Sequence, residues 1–340
     1  MKTVGVDLWG GQVRGAVENR ATVMRHAPRI AMPLRDLFIA AYGKFAAQCR
    51  AVDEPGVAMI AIDECTGRAS GQVTLRARVA RYVAAIIGRH DACDLFLHDN
   101  HELALRHIAV VLDPVQSWSR DSTAVRYRVL DLRTQNGFTD EHGRALRGLR
   151  CEGPALLRCA GYALFMLPLG DPSDWPESAT DAWTMIPERV YFDELDCSPR
   201  GSMPSMRLSS SATQKSMIIR THGPRDTGES LVMRGDAAGT LELIGKQHRG
   251  TLSLGHDALH DGVLIGRYAR CDGAGLLDDQ SLSRVHALLL HVDDALLAID
   301  TASRNGTRLY GQSDARVISL GGDTELGLGS RTRARWRWSQ

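Results

Sequence analysis

From about Pro55 the chain breaks into short apolar runs separated by Gly, Asp and Asn: VAMIAID, QVTLRARV, YVAAIIG, IAVVLDPV, VRYRVLDL and YALFMLPL. Runs of this length, bounded by turn formers, predict the strands of an all-β sandwich or barrel. Residues 33–50 follow a different period. Leu37, Ala40, Ala41, Phe45 and Gln48 recur at helical spacings after Pro33, which predicts one helix of roughly four turns.

Residues 170–238 lose the pattern. Their segments GDPSDWPES, CSPRGSMPSMRLSSSATQKS and THGPRDTGES are rich in Ser and Pro and predict a linker, with short ordered pieces around 183–195. Ser209, Ser210, Ser211, Thr213 and Thr221 lie there in polar sequence that a kinase could reach. After Gly239 the β texture returns in GTLELIG, GTLSLG, GVLIGR, VHALLLHV, LLAIDTAS and the closing RVISLGGDTELGLGSRTRARWRWS. The expected organisation is an N-terminal helical and hairpin extension (1–54), a first β-domain (55–169), a linker (170–238) and a second β-domain (239–340).

The two β-domains read as copies. With Gly88-Arg89 laid on Gly266-Arg267, AAIIGRHDACD matches GVLIGRYARCD, and Cys93-Asp94 falls on Cys271-Asp272. Continued without a gap, the register sets Arg106 on Arg284. The pairs Asn136-Gly137 and Asn305-Gly306 then correspond if the first copy carries a longer hairpin through PVQSWSRDSTA. A tandem duplication accounts for this order of matches.

Composition narrows the chemistry. The 340 residues, 44% hydrophobic and 24% charged, are enough for two domains. With 41 basic against 40 acidic side chains, no global field draws the chain to nucleic acid or a membrane. Arg331, Arg333, Arg335 and Arg337 alternate with Ala334, Trp336 and Trp338, as in a final strand with a basic outer face and an apolar inner one. Seven scattered cysteines without CxxC or CxxH spacing suggest reduced thiols and no metal site. With no signal-type or membrane-spanning apolar run, the expectation is a cytoplasmic protein. Gly10-Gly11 reads as a hairpin turn, since some fifty residues before the first β-domain cannot house a nucleotide-binding fold. No GxxxxGK, HExxH or GxSxG occurs, so neither an enzyme nor a cofactor is expected.

In the second copy Gly266-Arg267, then Ser283-Arg284-Val285-His286, then Asn305-Gly306-Thr307 stand in order. A late Leu320-Gly321-Gly322-Asp323 run follows them. This combination resembles the forkhead-associated (FHA) phosphothreonine-binding domain over roughly Gly239 to the C-terminus. The resemblance implies an eleven-stranded β-sandwich whose loops at one end bind a phosphothreonine peptide. It carries the phosphopeptide site onto Arg267, Ser283 and Asn305, with Arg284 and Arg304 as additions. Gly266, His286, Gly306 and Thr307 would support that site. The residue types suit the task, because a phosphate of about −2 charge calls for a guanidinium fork and a hydroxyl donor. Asn305 can both donate and accept along an extended peptide backbone.

In the gapless register the first copy keeps Arg89 and Asn136, but Leu105 stands at the Ser position, Ile108 at the His position and Phe138 after Asn-Gly. It therefore reads as a degenerate sandwich without phosphate binding. Arg106 and His107 are weaker substitutes, and Leu105, Ile108 and Phe138 form a candidate contact patch. Two functions are expected: a phosphothreonine-peptide-binding adaptor in bacterial Ser/Thr-kinase signalling, or a phosphate-independent assembly protein using both sandwiches as contact surfaces.

Overall fold

The computed structural model describes residues 32–115, 125–193, 232–246, 249–277 and 279–339, with the backbone of 4–5, 22–23 and 214–219. Gly10-Gly11, Thr213 and the other linker Ser and Thr residues named above lie outside the described residues. Strands β1 (Val4–Gly5) and β2 (Thr22–Val23) pair antiparallel, and helix α1 spans Leu34–Arg50. There follow β3 (Gly56–Asp63), β4 (Ala69–Arg76), β5 (Val83–Gly88), β6 (Leu95–Phe96), β7 (Ile108–Leu112) and β8 (Arg126–Asp131). Next come β9 (Phe138–Asp140), β10 (Ala145–Leu146), β11 (Gly148–Glu152), β12 (Ala155–Cys159) and β13 (Tyr162–Leu169). Helix α2 (Ala179–Met185), β14 (Arg189–Asp193) and β15 (Gln214–Ile219) lead towards the second copy. That copy holds β16 (Ala237–Ile244), β17 (Arg249–Gly255), α3 (His256–Asp261), β18 (Val263–Ile265), β19 (Ala287–Val292) and β20 (Ala295–Asp300). It ends with β21 (Thr307–Leu309), β22 (Val317–Leu320), β23 (Thr324–Leu328) and β24 (Thr332–Trp338).

In the first sandwich the six-stranded sheet β10-β9-β12-β13-β3-β4 packs on the seven-stranded sheet β14-β15-β11-β8-β7-β5-β6. In the second, β17-β16-β24-β23-β21 packs on β18-β19-β20-β22. Side-chain alternation explains why some strands are apolar throughout and others are not. Val57, Met59 and Ala61 of β3 enter the first sandwich core, while Ala58, Ile60 and Ile62 face outward onto α1. Ile108, Val110 and Leu112 of β7 point inward, whereas Ala109 and Val111 point out into a further apolar layer. By contrast β24 buries Thr332, Ala334 and Trp336 and leaves Arg333 and Arg337 exposed and Arg335 half-buried, because its outer face meets water.

Two expectations about organisation change. Helix α1 is part of the first sandwich, not a separate extension: Leu37, Phe38, Ala41 and Phe45 lie on Ile60, Phe165 and Leu167 of the six-stranded sheet. The segment 170–193 is likewise packed in place of a linker. Trp175 and Ala182 complete the layer over α1, with Phe45 edge-on to Trp175 at 6.2 Å. Strand β15 pairs antiparallel with β11 and parallel with β14, extending the seven-stranded sheet. Strand β14 falls within the short ordered pieces expected around 183–195, whereas the Ser- and Pro-rich composition concealed β15, which gains its partner β11 from distant sequence.

The two sandwiches share a third apolar layer. Ala84, Ile86, Ala109, Val111 and Leu130 of the seven-stranded sheet meet Leu264, Leu288, Leu290, Val292, Leu297 and Ile299 of the four-stranded one. Polar contacts frame this layer. Arg133 pairs with Asp272 at 2.6 Å and Arg316 with Asp94 at 3.2 Å, joining each sandwich to the equivalent aspartate of the other. Tyr82 Oη donates to the Val292 carbonyl at 3.4 Å. No helix among the described residues is long and apolar enough to cross a membrane.

Candidate functional site

Three loops at one end of the second sandwich bring the expected residues together. The first follows β18, where Gly266 is needed because a Cβ there would overlap the Arg284 carbonyl. That close approach lets the Arg267 and Tyr268 amides donate to the Ser283 and Arg284 carbonyls at 3.3 and 3.0 Å. Arg267 Nε donates to the Leu282 carbonyl at 2.9 Å. The bond fixes the stem of an exposed side chain, and the terminal nitrogens of its fork have no protein partner among the described residues.

The second loop, 279–286, is held by Asp279, which accepts from the Ser281 amide and hydroxyl and from the Thr332 hydroxyl. Burial works against this charge, but those bonds hold the carboxyl below its usual value. Ser283, 8% exposed, accepts from the Arg304 amide through Oγ at 2.9 Å. The hydroxyl proton therefore remains to be donated elsewhere. His286 buttresses the loop. Its Nδ1 accepts from the Ser283 amide at 3.1 Å and its Nε2 lies 3.0 Å from the Gly306 carbonyl. An amide donating to Nδ1 requires the neutral ring to carry its proton on Nε2, which donates to that carbonyl. Burial pushes the His286 pKa down.

The third loop carries Arg304 and Asn305, both exposed. Gly306 is left-handed (φ +70°), and a side chain there would collide with Asp314. Asn305 Nδ2 donates to the Ser281 carbonyl at 2.7 Å, and its Oδ1, on an exposed side chain, has no protein partner among the described residues. Thr307 is a structural member, its hydroxyl donating to Asp300 at 2.8 Å. Ala302, three residues before Asn305, is also left-handed (φ +60°), an uncommon backbone state for a side chain with a Cβ. Arg106 of the first sandwich donates to its carbonyl at 2.5 and 3.1 Å and to that of Thr301 at 2.7 Å. Arg284, exposed, turns towards the first sandwich's loops.

The first sandwich repeats this framework, and its hydrogen bonds correct the register. Arg89 Nε donates to the Leu103 carbonyl at 3.2 Å, and the Arg89 and His90 amides donate to the Ala104 and Leu105 carbonyls, each at 3.0 Å. The Ala104 amide donates to His107 Nδ1 at 3.0 Å, and His107 Nε2 meets the Gly137 carbonyl at 2.9 Å. Asn136 Nδ2 reaches the Glu102 carbonyl at 3.4 Å. Ala104, not Leu105, therefore occupies the place of Ser283, and His107, not Ile108, that of His286. Arg106 answers to Val285 in place of Arg284. The second copy carries one extra residue between Asp272 and Ser283. The signal was present in the sequence as Leu-x-x-x-His in both copies, Leu103 to His107 and Leu282 to His286.

Neither suggested substitute faces a ligand: Arg106 is spent on the second sandwich and His107 is fully buried. The proposed contact patch also dissolves, since Ile108 and Phe138 are core residues. The first copy thus keeps the fork, the amide and the histidine and lacks the hydroxyl. Among the described residues no three of His, Cys, Asp and Glu converge as metal ligands.

Residues 263–329 match the family model of the FHA domain. Among solved structures, the Mycobacterium tuberculosis Rv1747 FHA-1 domain is similar at 22% identity, covering 31% of this chain and 100% of that one, with a TM-score of 0.25. The FHA domain of the Chlamydia trachomatis CT664 protein matches at 20% identity over 31% of this chain and 100% of that one, TM-score 0.26. The yeast Dun1 FHA domain, solved with a doubly phosphorylated peptide derived from Rad53, matches at 19% over 34% and 83%, TM-score 0.25. No curated protein matches the chain. Residues 263–329 therefore carry an FHA domain, the first sandwich repeats its loop framework, and FHA domains are known as phosphothreonine-binding modules, not catalytic ones.

Proposed function

We propose that the chain is a non-enzymatic adaptor that binds phosphothreonine peptides through its second sandwich, in cytoplasmic bacterial Ser/Thr-kinase signalling. The observation that carries this reading is the convergence of Arg267, Ser283 and Asn305 on three cross-braced loops, each with unspent bonding capacity. A phosphate placed there receives a charged fork from Arg267 and a hydroxyl proton from Ser283, while Asn305 engages the peptide backbone. Arg304 and Arg284 add positive charge at the rim. The rival reading, both sandwiches as phosphate-independent contact surfaces, loses support because one outer face of each already covers the other.

The test is a titration of the full-length protein with a degenerate phosphothreonine peptide library and its unphosphorylated counterpart. Arg267→Ala removes hydrogen bonds to a charged group, worth about 1.5–3 kcal/mol, and is expected to weaken binding some ten- to hundredfold. Unaltered affinity in that variant rules the assignment out.

A further inference from the structure

A cleft of about 250 Å³, open to solvent, lies where the loops of the first sandwich meet those of the second. The first sandwich contributes Arg89, Glu102 and Asn136, and the second contributes Tyr268, Arg270 and Arg284. Arg106 and Arg133 also line it, but their guanidinium groups are engaged across the sandwich interface.

The other three arginines are differently placed. Arg89 holds its stem to the Leu103 carbonyl as Arg267 does to Leu282. Arg270 lies over the Tyr268 ring at 5.1 Å and donates to the Arg133 carbonyl at 3.3 Å, which orients it in advance. Arg284 is exposed. None of the three pairs with a carboxylate among the described residues, and Glu102 is the one acid lining the cleft. Like charges drawn together in a concave site focus a positive potential that an anion relieves. Ala104, small where Ser283 has its hydroxyl, leaves room for one.

We propose that this cleft is a second anion site, assembled jointly by both sandwiches, which takes a phosphorylated side chain of the same peptide whose phosphothreonine lies at Arg267 and Ser283. It rests on the reading of the second sandwich for the source of the peptide. The two sites adjoin, because Tyr268 and Arg284 follow Arg267 and Ser283 directly in the chain, about 3.8 Å on from Cα to Cα. An extended peptide advances about 3.3 Å per residue, so a second phosphate a few residues from the first spans them. The first copy thereby remains a recognition element, with arginines of its neighbour in place of the missing hydroxyl.

The experiment titrates the full-length protein with peptides carrying phosphothreonine alone, or phosphothreonine plus a phosphoserine at each of several spacings on either side. A parallel set has glutamate in place of the phosphoserine. At the matching spacing the doubly phosphorylated peptide is expected to bind about ten- to a hundredfold tighter, the effect of one added set of charge-assisted hydrogen bonds. The glutamate peptide, with one charge and two oxygens, gains less. Arg89→Ala and Arg270→Ala each abolish the gain and leave the singly phosphorylated peptide's affinity within about twofold. If that peptide binds and no spacing brings a gain, the cleft proposal falls while the first site stands. If it does not bind, the reading of the second sandwich falls. The cleft is then decided by side-chain Nε–Hε resonances of the arginines during titration with a phosphoserine peptide. Shifts that vanish in Arg270→Ala support it, and unmoved resonances overturn it.

Discussion

Cutting the second sandwich out of the chain, as residues 232–340, uncovers the outer face of its four-stranded sheet. Leu264, Leu288, Leu290, Val292, Leu297 and Ile299 are each at most 3% exposed in the whole protein and all lie in the shared layer. At about 1.5–3 kcal/mol for each fully buried aliphatic side chain, their burial stabilises the pair of sandwiches by at most some 10–15 kcal/mol. That rivals the net stability of an ordinary domain, about 5–15 kcal/mol. The fragment is therefore expected to hide the face against a second copy or to aggregate, since soluble monomers rarely expose a contiguous apolar patch of this size. Sedimentation velocity on the purified fragment reads this directly, and Leu288→Lys with Leu290→Lys should return it to a monomer. A fragment that stays monomeric at about 10 μM without those changes, and unfolds as cooperatively as the full chain, refutes the reasoning.

Three further outcomes follow from buried groups. Arg106→Leu strands the Thr301 and Ala302 carbonyls and is expected to cost about 1–3 kcal/mol for each, read by urea denaturation; it should also lower phosphothreonine-peptide affinity, because the loop that it braces carries Asn305. Burial lowers the pKa of both His107 and His286, so below pH 6.5 the unfolded chain takes up protons that the native state refuses. Stability is thus complete above about pH 6.5 and falls below it by up to about 1.4 kcal/mol per pH unit for each ring, a slope that His107→Asn and His286→Asn should each reduce. Burial also raises the Cys93 and Cys271 thiols to about 11 and about 12, so a thiol reagent at pH 8 should label exposed Cys65 in the folded protein and these two only on unfolding.

Local chemistry was legible because it is written in short segments. The runs of β3, β7 and β13, the helical spacing of α1 and the alternation of β24 follow from the period of side chains along a strand or helix. The loop motifs followed in the same way, because Gly266 and Gly306 answer steric demands set within a few residues of Arg267 and Asn305. Even two-sided burial was present as a signal, in strands apolar at every position, though it does not say what covers the second face. That choice belongs to tertiary structure. The outer faces of β3 and β13 received α1 and α2, while those of β7 and β19 received each other, and apolar contact is non-directional enough to permit either. The register between the copies was written in the shared Leu-x-x-x-His spacing, Leu103 to His107 and Leu282 to His286, but the gapless match at Gly-Arg and Cys-Asp hid the one inserted residue. The bonds of His107 and His286 to corresponding backbone groups located it. Strand β15, set in a Ser- and Pro-rich stretch, exists because hydrogen-bond partners waited on β11, far away in sequence and near only once the sandwich had closed, and β14 pairs with β15 in turn.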